Sequence, residues 1–282
     1  MEPLLRAMEV QEQIPKGASA RGRTAKELET DFLGALYDRG QSGSLRALAD
    51  RLVQLAMLVR DRTSNDVWRV LSQIEKVTSE EDVTWSPGEA IALLNRVLML
   101  VSSFKGIARE NMTRAQGWRF LDMGIRIERA LSLSTFMKYS LLSPEATMPG
   151  LLESVLEVAD STLTYRSRYS ILPNLMAVYD LVLLDDTNPR SLMFQLESLS
   201  KHIRRLPRYR ENGLPDAAER LLLECLTRVR LLDPRELSFM GDRLEETATA
   251  RVLELTIRQL WSLSEVIDVM YFAHSKTSHV GA

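Results

Sequence analysis

The chain has 282 residues, 45% of them hydrophobic and 26% charged, with a formal net charge of −2 and a pI near 6.0. That length and composition give one large or two medium domains with a sizeable core, and exclude an intrinsically disordered chain. The mildly acidic balance argues against a nucleic-acid partner, which selects a basic surface. No uninterrupted run of about 18 apolar residues is present to span a bilayer.

Aromatic residues are only 6% and Gly is sparse, a balance that favours helices over the β-branched and aromatic surface of a sheet. Arg outnumbers Lys 29 to 7, a bias that a GC-rich genome explains first, although the guanidinium is also the group that grips carboxylate or phosphate through paired hydrogen bonds. The single cysteine, Cys225, lies in the Leu-rich stretch 221–226 and reads as a buried thiol. One thiol supports neither a disulfide framework nor a cysteine metal site. The charged N-terminus does not read as a secretory signal, so the expected address is the cytoplasm.

In chain order, residues 1–24 read as a poorly structured segment with at most a helical turn over Leu4–Met8. Pro15, Gly17 and Gly22 interrupt it, and Lys16, Arg21 and Arg23 charge it. Residues 25–282 read as one helical domain. Leu45, Leu48, Leu52, Leu55 and Val59 recur at three-to-four spacing, the mark of a helix face. Ser64 caps a helix opening at Asn65, and Ser86-Pro87-Gly88-Glu89 is a capping box with proline at the first helical position. Asn188-Pro189 and Asp233-Pro234-Arg235-Glu236 predict two further starts. Leu244, Ala248, Val252 and Leu255, then Leu263, Val266 and Met270, form a second stripe. No stretch alternates with period two. The fold class is all-α, a single bundle-like domain of about eight to ten helices.

The chain also echoes itself. Ala35-Leu36-Tyr37-Asp38 followed by Ser44-Leu45 matches Val182-Leu183-Leu184-Asp185 followed by Ser191-Leu192, offset by 147 residues. Each is an apolar helix end, an Asp, a short turn and a Ser-Leu helix start, as two related helical halves would produce.

The densest chemistry lies in residues 109–131, Arg-Glu-Asn-Met-Thr-Arg-Ala-Gln-Gly-Trp-Arg-Phe-Leu-Asp-Met-Gly-Ile-Arg-Ile-Glu-Arg-Ala-Leu. Thr113 reads as a cap, and Arg119, Asp122 and Arg126 share one side of the helix, so the Asp122 carboxylate can reach either guanidinium. Glu128 and Arg129 are adjacent and point about 100° apart, so they do not face the same way. Gly117 and Gly124 disfavour a helix and suggest close approach of a neighbour or ligand there.

This string closely resembles the signature of the bacterial alpha-E family: Asn-Met-Thr-Arg, then Gly-Trp-Arg-Phe-Leu-Asp, then Arg-Ile-Glu-Arg-Ala. Val59-Arg60-Asp61-Arg62 with Asp66-Val67-Trp68-Arg69, Thr164–Tyr169 and Leu184–Leu192 are similar to it as well, so the resemblance covers most of residues 30–232. The family pattern also opens on a helix with an earlier Arg-aromatic-x-Glu-Arg motif. That motif is not found here, and by the 147-residue offset it would fall before residue 1. The chain is therefore expected to be shortened at its N-terminus or to be one piece of a longer protein. The resemblance implies association with circularly permuted ATP-grasp ligases and transglutaminase-like proteins, and supplies no catalytic residues.

Three Arg against two acids in the cluster Arg119, Asp122, Arg126, Glu128 and Arg129 fit either an ion-pair network that fixes helix register or a site for an anion or peptide carboxylate. Arg166 and Arg168, beside Tyr165 and Tyr169, join the candidate ligand-binding residues, although tyrosines docked in the core with arginines turned outward explain them equally. His202, Arg204, Arg205, Arg208 and Arg210 read as a solvated basic patch. Trp68, Trp85, Trp118 and Trp261 read as core anchors. Neither a metal nor another cofactor is expected, since His202, His274 and His279 are too few and form no ligand motif. The leading functional reading is a non-catalytic helical partner or peptide-binding module of an ATP-grasp-type amide-bond-forming system. The alternatives are an enzyme, or enzyme half, holding an anionic substrate on the Arg/Asp/Glu helix, and a homo-oligomeric scaffold.

Overall fold

A computed structural model describes residues 2–20, 22–79, 86–140, 147–169, 172–207, 214–235 and 247–272. Among them are twelve α-helices and no strand, an all-α fold slightly richer in helices than the periodicity predicts. The helices fall into two compact units that divide between Trp118 and Arg119.

The first unit holds α1 (Glu2–Val10), α2 (Ala25–Tyr37), α3 (Leu45–Leu58), α4 (Asn65–Thr78) and α5 (Pro87–Asn111). Ser44, Ser64 and Ser86 each accept a backbone N–H two or three residues into their helices, and Ser86 with Glu89 completes the capping box. Helix α2 packs on α3 and α5, and α4 packs on α3 and α5. Ala49, Val70 and Ile74 close the core with Leu100, Val101, Phe104 and Ile107.

The described residues among 1–24 form more structure than a single helical turn. Helix α1 leads into a turn that the Glu9 carboxylate holds, accepting from the Gly17 amide at 2.6 Å, the Ser19 amide at 3.3 Å and the Ser19 hydroxyl. Leu5, Ile14 and Ala18 are buried together against Met8, Leu28 and Ala35. Gly17 lets the turn close on Glu9: it sits at φ +90°, open to glycine at little strain.

The second unit holds α6 (Gln116–Ser140, from Arg119 onward), α7 (Pro149–Val158), α8 (Thr162–Arg168), α9 (Leu175–Tyr179) with a π-helical turn at Asp180–Leu184, α10 (Leu192–Ile203), α11 (Ala217–Arg230) and α12 (Ala248–Tyr271). Helix α11 packs between α10 and α12, and the π turn rests on α10 and α11. Helix α6 is tied to α12 through Phe120, whose ring meets Tyr271 and Phe272 at 5.3 and 4.9 Å.

The sequence echo is structural. Asp38 and Asp185 are both helix C-caps, each accepting at Oδ1 from the amide two residues on, at 2.8 Å. Ser44 and Ser191 are both buried N-caps whose own amides bond three residues back at 3.0 Å. The match extends upstream, where α1 and α7 end on the same three bonds, from Gln11, Glu12 and Gln13 and from Ala159, Asp160 and Ser161. Both closures put an acidic residue in the left-handed region, Glu12 at φ 57° and Asp160 at φ 47°. In the first unit the following loop comes so close that a Cβ on Gly43 would lie 2.1 Å from the Glu12 carbonyl oxygen, which only glycine allows. Both units thus carry the same helix-end, turn and helix-start pattern at the echoed positions.

Several local expectations are corrected. Helix α10 starts from Ser191, whereas Asn188 is buried and donates its amide to Ser161 Oγ (3.2 Å) and the Leu181 carbonyl (3.0 Å). Helix α6 begins three residues after Thr113. On α12 the buried positions are Thr249, Ala250, Leu253, Thr256, Leu260, Leu263 and Ile267, so the predicted Ala248-Val252-Leu255 stripe is not the core face; Leu244 lies outside the described residues. Trp261 is 61% exposed and anchors no core, and Trp85 lies outside the described residues. The proposed start at Asp233 runs into residue 236, also outside them. Although no uninterrupted apolar run exists, α5 is long and apolar enough by length and composition to cross a membrane.

Candidate functional site

The site is built on α6 and α10. Asp122 is at its centre: its Oδ2 accepts from Arg126 Nε at 2.5 Å, one turn on, and from His202 Nε2 on α10 at 2.6 Å. Arg126 extends the bridge with Nη1 to Gln195 Oε1 at 3.3 Å, and its guanidinium lies over the Phe194 ring at 5.5 Å. Gln195 is anchored in turn by donating to the Pro189 carbonyl at 2.7 Å. Burial pushes the Asp122 carboxyl up, but the hydrogen bonds from His202 and then Arg126 outweigh it and hold the group below its ordinary value. Asp122 is therefore a carboxylate at neutral pH, pinning two helices.

Arg129, one turn after Arg126, differs. It is half-buried, and no hydrogen bond or ion pair reaches it among the described residues. Burial, then the positive charges of Arg190 and Arg126, lower its pKa against a smaller opposing pull from Asp122. It stays a cation at neutral pH because the guanidinium starts so high. Arg190 is shared with Asp160, Nη2 to Oδ2 at 2.5 Å. Arg126 and Arg190 thus lie close enough to act on Arg129, and each has a carboxylate of its own, Asp122 and Asp160, whereas Arg129 has none among the described residues.

The other sequence candidates separate. Arg119 is half-buried without an ion pair among the described residues, so Asp122 chooses Arg126 over it. Glu128 is exposed and, among the described residues, makes no bond to Arg129. Arg168 belongs to a different locus, bonding Asp185 and, at 3.1 Å, Thr187 Oγ1, while Arg166 is exposed. Tyr165 is buried and stacks on Tyr169 at 5.1 Å, its hydroxyl accepting from the Asn174 amide at 3.0 Å, which is the docked-tyrosine arrangement. A Cβ at Gly117 or Gly124 would meet nothing, so neither glycine marks a close approach. Cys225 is buried, its thiol bonded to Gln259 and pushed up to about 12 by burial.

Sequence reasoning missed Gln195 and Arg190 and misplaced His202, which is buried against Asp122 and not part of a solvated patch. The missed signal was helical phase: Leu192, Gln195, Leu199 and His202 share one face of α10. Of the remaining patch, Arg208 and Arg210 lie outside the described residues. Arg204 lines a cleft of about 460 Å³ between α10 and α11 with Lys201, Arg230 and Glu197.

Residues 1–272 match the Alpha-E family model, described as a predicted alpha-helical domain with a conserved ER motif. Uncharacterized proteins of Mycobacterium tuberculosis (strain H37Rv) and Mycobacterium bovis are each 33% identical over 240 residues, covering 83% of this chain and 26% of theirs. The chain thus spans about a quarter of the length of these relatives. No solved structure matches.

Proposed function

The chain belongs to the Alpha-E family, and on that premise we propose that it is a non-catalytic helical module that binds a peptide carboxylate within an ATP-grasp-type amide-bond-forming system. The observation that carries the reading is Arg129: a half-buried guanidinium, backed by Arg126 and Arg190, without an acid of its own. A peptide carboxylate supplies the missing charge and the planar acceptor pair that an arginine fork matches. The neighbouring Asp122–His202–Arg126 bridge holds α6 against α10, so the cationic surface is set before ligand arrives. The cysteine thiol is buried and bonded to Gln259, so it supplies no nucleophile to the site. The proposed partners are the ATP-grasp ligase and a transglutaminase-like protein, in the cytoplasm.

The test is calorimetric titration with short peptides bearing free or amidated C-termini, alongside a pull-down with the ligase. Free-acid peptides should bind and amidated ones should not, with Arg129→Ala abolishing the difference while leaving the circular dichroism unchanged. Equal binding of both forms, or loss of the fold in Arg129→Ala, overturns the carboxylate site. No association with the ligase overturns the partnership.

A further inference from the structure

The loop before α10 carries a guanidinium whose backbone is fixed but whose acid is loosely held. Arg190 donates its amide to Asn188 Oδ1 at 3.1 Å, and the Pro189 carbonyl just before it accepts from Gln195 at 2.7 Å. Gln195 in turn accepts from Arg126 at 3.3 Å. Two hydrogen bonds therefore link the Arg190 backbone to the α6 bridge, one turn before Arg129. Asn188 also donates to Ser161 Oγ at 3.2 Å, which ties the loop to the end of α7, where Asp160 takes the Arg190 side chain at 2.5 Å. Of the two neighbouring cations, Arg190 acts on Arg129 more strongly than Arg126 does.

These two neighbours differ in how firmly their acids hold them. Arg126 shares Asp122 with His202, and the Asp122 and Arg126 side chains are only 20% and 19% exposed. Taking that acid away would leave charges partly buried, which is costly. The Arg190 and Asp160 side chains are 43% and 71% exposed. Water screens such a pair and solvates the acid once it is released, so exchanging Asp160 for another carboxylate costs little.

We infer that Arg190 is the second arm of the Arg129 site: it leaves Asp160 and takes the side-chain carboxylate of a peptide that ends in Glu or Asp. The inference rests on the carboxylate reading of Arg129 proposed above. The α-carboxylate meets Arg129, and the second carboxylate replaces Asp160 on Arg190. With an acid on each guanidinium, the repulsion between them is cancelled. Arg190 is thus a specificity residue. A peptide with one carboxylate leaves it on Asp160 and gains nothing from it.

Calorimetric titration of the full chain with Ala-Ala-Ala-Glu and Ala-Ala-Ala-Gln, both with free C-termini, tests this. The Glu peptide should bind about fivefold tighter. That preference should vanish in Arg190→Gln, while affinity for the Gln peptide stays close to wild type. Asp160→Asn, which releases Arg190, should widen the preference, and it serves as the test if Arg190→Gln fails to fold. Equal binding of the two peptides by the wild type overturns the role of Arg190 and leaves the carboxylate site standing. So does a preference that survives Arg190→Gln, or one that Asp160→Asn leaves unchanged. A wild type that binds neither peptide removes the carboxylate site itself, and the second arm with it.

Discussion

Replacing Asp122 with asparagine tests whether the α6–α10 bridge is an ion-pair device or merely packing. Asp122 and its partners are largely buried, with side chains of Asp122, Arg126 and His202 at 20%, 19% and 10% exposure. Two charge-assisted bonds, at 2.5 and 2.6 Å, end on a single oxygen. Asparagine keeps the shape but removes the charge, leaving Arg126 with Gln195 alone. Losing hydrogen bonds to charged groups in a partly buried site gives an expected destabilisation of about 2–3 kcal/mol. For a unit of this size that is a drop of roughly 5–10 °C in Tm. The sign of the pH effect follows from the Asp122 pKa, which is lowered from 3.8 in the fold. The carboxylate therefore contributes stability above the unfolded value, and that contribution is lost as pH falls through the lower folded one. Urea unfolding of both proteins between neutral pH and the lower carboxylate range checks this. The gap between wild type and Asp122→Asn should be full at neutrality and narrow steadily below about pH 4. A gap under about 0.5 kcal/mol at neutral pH, or one constant with pH, refutes the bridge as an ionic device.

Three further substitutions follow from single contacts. Gly43→Ala should destabilise the first unit by about 1–3 kcal/mol in urea titration, since its Cβ would meet the Glu12 carbonyl oxygen at 2.1 Å and the backbone must shift. Gly124→Ala should do the reverse, raising stability by up to about 1 kcal/mol, because the glycine sits inside a helix with open space around it. Asn188→Ala should cost about 1–3 kcal/mol and raise hydrogen exchange at the π turn, where it bonds the Leu181 carbonyl.

How much of this was legible follows from which signals were local. Caps were read correctly where side chain and helix are neighbours in sequence, as at Ser64 and Ser86. Asn188 deceived because a cap residue before proline was turned to a buried, long-range task. The stripes identified helices, but the α3 stripe missed the inner face, and of the described α12 stripe only Leu263 is buried. Burial there falls on Ala49, Ala56, Thr249, Ala250 and Thr256, small residues suited to close helix contact, while bulkier leucines dominate an apolar pattern. At the site, the Arg126–Asp122 contact was readable from helix spacing, but its completion by His202 lies 80 residues away and depends on how α6 meets α10.

The two halves show how one frame comes to do two jobs. Both keep the Asp C-cap, the turn and the buried Ser N-cap, so the helix after the turn, α3 or α10, starts in the same phase. Once that phase is fixed, the identity of three positions decides what the outer face does. With Gln195, Leu199 and His202, the face carries polar groups that Arg126 and Asp122 of α6 satisfy, and the ionic bridge brings Arg126 beside the unneutralised Arg129. With Leu48, Leu52 and Leu55, it has no polar group to satisfy and offers hydrophobic area alone. Charge specifies its partner by geometry, whereas leucine specifies it by shape and spacing.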